Sequence, residues 1–124
     1  MPASNADKEF VTYVIELMQS LGPVRAKSMF GGYGIYLDGL MFGLIADNTL
    51  YLKTDNESVN AFKEKELEAF SYHKKGKELK MSYYQAPEDA LEDSEEMNNW
   101  ANKAYAAALR AAAIKRSRAN KKNS

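Results

Sequence analysis

A chain of 124 residues, 45% hydrophobic and 27% charged, carries enough apolar material for one core and too much for a wholly disordered polymer. Seventeen basic and seventeen acidic residues cancel, so no net field draws the molecule to DNA or an acidic membrane, and any such attraction must be local. The absence of cysteine excludes disulfides, thiol catalysis and cysteine–zinc sites.

No apolar run approaches the roughly 18 residues of a membrane span. The opening MPASNADKEF lacks the basic start and apolar block of a signal peptide. Together with the missing cysteines, this fits a cytoplasmic protein. No internal repeat is visible.

The chain is expected to fray up to about Asn5. Lys8 to Leu21 then reads as a helix, with Phe10, Val14, Met18 and Leu21 on one stripe. Gly22-Pro23 ends it. Val24 to Ser28, with Arg25 and Lys27, reads as either a short strand or a loop. Three β-type runs follow. Tyr33 to Leu37 meets the hairpin pair Asp38-Gly39, Leu40 to Ala46 is almost wholly apolar, and Asp47-Asn48-Thr49 turns the chain into Leu50 to Lys53.

A second helix is expected from Asn56 to about Leu67, capped by Thr54, Asp55 or Asn56. Phe70 to His73 and Leu79 to Tyr84 form a further hairpin around Gly76. Ala86-Pro87 breaks the pattern. A long helix is expected from about Asp93 to Ile114, burying Met97, Trp100, Ala101, Ala104, Tyr105, Ala108 and Ala112. Its acids sit first and its bases last, as the helix dipole favours. Residues 115–124 are expected to be a basic, disordered tail beyond a single domain over 1–114. The element order is α-β(3)-α-β(2)-α, an α+β fold with an antiparallel sheet flanked by helices.

Few residues look equipped for chemistry. Gly31, Gly32 and Gly34 precede a strand rather than a helix, and Leu37 stands where a dinucleotide fingerprint needs its third glycine. They read as structural, with Gly39, in a bent strand entry and a turn. His73 is the one histidine, with no HxH or HxxxH spacing, and reads as a surface or strand-end residue. Asp38 and Asp47 fall in turns at opposite ends of the middle strand, too far apart to share one bond. The eight tyrosines suit packing or a partner surface better than base stacking, since no RNP-type motif accompanies them. Lys115, Arg116, Arg118, Lys121 and Lys122 form an acid-free run that can meet phosphates, although a solvated helix end is the plainer reading.

The segments VIELMQSLGPVRAKSMFGGYGIYLDGLMFGLIADNTLYLK, SYYQAP and MNNWANKAYAAA resemble the N-terminal domain of the TfoX/Sxy competence-regulator family, from Phe10 to about Ala112. MFGGYGIY with the apolar strand and LYLK is the most specific part. The resemblance implies a secretion-chaperone-like α+β domain in a bacterial cytoplasmic protein. It also implies a role in transcription of DNA-uptake genes, exercised with the cyclic-AMP receptor protein. It brings no catalytic residues and no cofactor. Full-length regulators of this kind carry a second, helical C-terminal domain, whereas this sequence stops at Ser124.

The expectation is therefore a non-enzymatic regulatory domain acting through protein contacts, with a homodimer expected because one sheet with three helices leaves a face or an edge in need of cover. The alternative is direct nucleic-acid binding through the basic end, with Arg25, Lys27 or the cluster from Lys74 to Lys80. A small enzyme ranks last.

Overall fold

A computed structural model describes residues 5–29 and 31–122, with side chains over 8–29, 31–71, 75–77 and 81–120. Of the start expected to fray up to about Asn5, residues 1–4 lie outside that range, as do the last two residues of the chain, while Asn5 begins the first helix. The order is α1 (Asn5–Leu17), a 3₁₀ turn (Gln19–Leu21), β1 (Arg25–Met29), β2 (Gly32–Leu37), β3 (Leu40–Ala46), β4 (Thr49–Lys53), α2 (Val59–Glu64), β5 (Ala69–Lys74), β6 (Lys77–Gln85), α3 (Glu88–Glu92) and α4 (Ser94–Lys122).

All six strands join one antiparallel sheet in the order β1-β2-β3-β4-β6-β5. The α+β class is as expected. The segment left between strand and loop is the edge strand β1, paired along its length with β2, so the first run has four strands. The hairpins follow turn chemistry. Asp38 and Gly39 sit at φ 51° and 77°, Asp47 and Asn48 at 49° and 58°, Lys75 and Gly76 at 53° and 78°. Positive φ at both central residues gives the turn whose twist matches the flanking strands.

Alternation along the strands sends Ile35, Leu37, Ile45, Leu50 and Leu52 to one face, where they meet Val14 and Met18 of α1, Phe62 of α2, and Met97, Trp100, Ala101, Ala104 and Ala108 of α4 in a single cluster. The register slips between Ile35 and Tyr36, so Phe42 is the extra residue of a bulge and also turns to this core. Alanines on α4 let its backbone lie close to β3 and β4, and aromatic rings fill the gaps beside them. Phe62 meets Trp100 edge-on at 4.9 Å between centroids, and Phe42 meets Tyr105 at 5.6 Å.

Several expected boundaries move. The first helix, expected over Lys8 to Leu21, runs over Asn5–Leu17 with a separate 3₁₀ turn after it, and the short α3 precedes the last helix. The second helix shrinks to α2, because Asp55 caps a preceding turn, its Oδ1 accepting from the amides of Glu57 and Ser58. The last helix does not stop at Ile114, and the stretch expected to be a disordered tail is helical through Lys122. At 1.5 Å per residue its 29 residues span about 43 Å, whereas the nine-residue β6 spans about 30 Å, so α4 outruns the sheet.

Candidate functional site

The strand residues of opposite parity face away from every helix. Register places Arg25 beside Tyr36 and Tyr36 beside Met41. Lys53 and Tyr83 pair two strands further on. A second row runs Lys27, Gly34, Leu44, Tyr51, Gln85 from β1 to β6. This helix-free face is therefore aromatic and methionine-rich, with bases set among the rings.

The side chains on it are ordered by one another. Lys27 Nζ lies 4.8 Å above the Tyr36 ring, and Lys53 Nζ lies 5.2 Å above that of Tyr83. Tyr51 meets Phe70 edge-on at 4.9 Å. Leu44 and Tyr83 are each 6% exposed yet belong to no helix-side contact cluster, so their cover comes from neighbours on their own face. Burial, with the Tyr36 phenol nearby, pushes the Tyr83 hydroxyl up to about 12. Met29 and Met81, the latter two residues before Tyr83, are each 39% exposed. At one corner, Pro23, Arg25, Lys27, Tyr36, Asp38 and Gly39 line a half-open depression of about 360 Å³.

The four glycines singled out from the sequence occupy this region for different reasons. Gly31 and Gly39 sit in turns at φ 73° and 77°. At Gly32 a Cβ would come within 2.1 Å of the Ile45 carbonyl oxygen. At Gly34 it would meet the Met29 and Met41 sulfurs and the Tyr36 ring at 2.9–3.3 Å, which shows those three side chains converging over it.

The basic end lies elsewhere. Lys115, Arg116 and Arg118 are exposed on the last turns of α4, on the helix side of the sheet. Lys121 and Lys122 close the helix, their side chains outside those described. The structure does not bring these bases together with Arg25 or Lys27. His73 lies on β5, its side chain also outside the described set. Asp38 and Asp47 stand at opposite ends of β3, roughly 20 Å apart at 3.3 Å per residue. Among the described residues no three His, Cys, Asp or Glu side chains group as metal ligands, and no helix is long and apolar enough to cross a membrane.

Sequence reasoning missed one polar cluster. Arg110 of α4 reaches Asp55 by two hydrogen bonds of 2.6 and 3.0 Å and lies 2.9 Å from Glu57. The Arg110 hydrogen bond chiefly, with the Ser58 amide and hydroxyl, holds the Asp55 carboxyl down at about 2. The partners are 55 residues apart, so no local pattern announces them.

The TfoX N-terminal domain family matches residues 16–108. The DNA transformation protein TfoX1 of Aliivibrio fischeri (strain ATCC 700601 / ES114) is 31% identical over 85 residues, 68% of this chain and 39% of that protein. Protein Sxy of Escherichia coli (strain K12) is 27% identical over 73 residues, 59% of this chain and 35% of that protein. The chain thus spans under two fifths of these relatives.

Proposed function

The chain belongs to the TfoX N-terminal domain family, and on that premise we propose that it is a non-enzymatic regulatory domain of DNA-uptake competence, working in the bacterial cytoplasm through a protein contact on the helix-free sheet face. One relative's name ties that protein to DNA transformation. The observation that carries the contact is the face itself. Tyrosine, methionine and arginine are the residues that protein interfaces enrich, and here they stand in two cross-strand rows with exposed methionines at the margin. Unbranched methionine side chains adapt to the shape of a partner. The partner proposed is a transcription factor such as the cyclic-AMP receptor protein, and the same face serves a second copy if the domain dimerises.

The test is binding of the full chain to purified cyclic-AMP receptor protein, read beside a Lys27→Glu/Met29→Ser variant and beside transcription of a DNA-uptake reporter. The expected result is a complex and reporter activity with the unaltered chain, both lost in the variant at unchanged melting temperature. A strictly monomeric chain that binds no such factor and leaves the reporter silent overturns the reading. Direct nucleic-acid contact is a second reading, favoured by a separate observation at the other side of the molecule.

A further inference from the structure

The zero net charge hides a segregation of the acids. All seventeen acids lie at or before Glu96. Residues 1–96 hold ten bases and carry −7, while residues 97–124 hold seven bases, no acid, and carry +7. Five of those seven bases fall between 115 and 122, on the part of α4 that outruns the sheet.

Arg110 is the last base tied to the body, through Asp55 and Glu57. From Ala113 to Asn120 every side chain is exposed. An isolated helix this short is marginal in water. This one persists because the packed half of α4 has already nucleated it and because alanine, lysine and arginine extend a helix well. The bases also suit the negative end of its dipole.

The side chains narrow what the extension can bind. Leu109 and Ile114, 49% and 54% exposed, lie about 140° apart around a helix that turns 3.6 residues per turn, so they form no common apolar stripe. Beyond Ile114 the apolar side chains are no larger than alanine. A membrane surface or an apolar protein groove would have nothing to bury. Lys115, Arg116 and Arg118 instead point to different sides of the axis, as suits a helix lying between two walls of negative charge. Residues 111–122 span about 18 Å at 1.5 Å per residue, and a duplex major groove about 12 Å wide admits a helix.

We propose that residues 111–122 are a duplex-DNA-binding helix that lies in the major groove and contacts phosphates through Lys115, Arg116, Arg118, Lys121 and Lys122. This goes beyond the protein-contact reading, and the segment lies outside the residues matched by the family. The acidic body is repelled by the duplex, which orients the projecting helix toward it. Recognition is by phosphate and therefore indifferent to sequence.

Fluorescence anisotropy with a labelled duplex of about twenty base pairs tests this, using the full chain between 50 and 200 mM salt. Five phosphate contacts give a log–log salt slope of about −4.5 and a loss of roughly 500-fold across that range. A Lys115→Gln/Arg116→Gln/Arg118→Gln variant keeps good helix formers at exposed sites, so its melting temperature should hold while its slope flattens by about 3. A Met29→Ser variant, which alters the sheet face without changing charge, should bind DNA as the unaltered chain does, and this separates the inference from the fate of the sheet face. Absence of binding at 50 mM, or an affinity and slope unchanged in the triple-glutamine variant, overturns it. So does self-association that the triple variant abolishes, which would assign the helix to the acidic 88–96 surface of a second copy.

Discussion

The two faces of the sheet come from the same strands, residue by alternate residue, and they obey different rules. On the helix side, Ile35, Phe42, Ile45, Leu50 and Leu52 are at most 1% exposed and locked against three helices. On the other, Tyr36, Met41 and Tyr51 stay half-buried, held by lysines and by each other. Full burial ties a residue to stability, because any lost methylene leaves a cavity. Half-burial leaves a side chain free to trade its water for a partner. On the proposed function, stability and recognition divide along the pleat of one sheet and can be altered separately.

The strongest way to break that division is at its core. Phe42→Ala should destabilise the domain by about 3–5 kcal/mol, read as a lower urea midpoint. A loss no greater than that of an exposed substitution would mean the helix side is not close-packed. Next comes a matched pair two residues apart on β2, both directed to the helix-free face. Gly32→Ala sets a Cβ against the rigid Ile45 carbonyl and should cost about 2–3 kcal/mol. Gly34→Ala meets only methionine and tyrosine side chains, which can move, and should cost less than half as much by thermal unfolding. Equal losses would show the side chains over Gly34 to be as rigid as the backbone beside Gly32.

A smaller effect belongs to the bridge that fastens α4 to the turn before α2. The Asp55 carboxyl is depressed from 3.8 to about 2 in the folded chain. The unfolded chain therefore takes up its proton first, and the stabilisation is fully present above pH 4 and lost as pH falls through 2. Acid titration of the melting temperature should show a decline over that window that Asp55→Asn flattens. The smallest effect is expected at the margin of the open face. Met81→Ser should change stability by no more than about 0.5 kcal/mol while weakening partner binding. Ordinary stability with undiminished binding would move the contact elsewhere on the sheet.

Much of the fold was legible. Asp38-Gly39 and Asp47-Asn48 announce their turns because few residue pairs tolerate two positive φ angles in a row. The alternation between them gives the strands. Val24 to Ser28 was ambiguous because an edge strand has one neighbour, little burial and hence little apolar pattern. The end of α4 is not legible from composition, because a polar, basic stretch suits a solvated tail and a helix alike; helix propensity and a packed upstream nucleus carry the helix on. The candidate surface was less legible than the fold. Arg25, Lys27, Tyr36, Tyr51 and Tyr83 could each be seen, but register alone decides that they are neighbours.

By itself the sequence determined the α+β class, the hairpin turns, the buried stripe of α4 and the segregation of charge, all of which rest on local propensity or on simple counting along the chain. The tertiary structure decided that β1 forms one edge of the sheet, that Arg110 meets Asp55, that Lys27 and Lys53 sit over tyrosine rings, and that α4 projects beyond its support. Those are relations between distant residues, fixed by strand register and by the relative lengths of helix and sheet, and no window along the chain contains both partners.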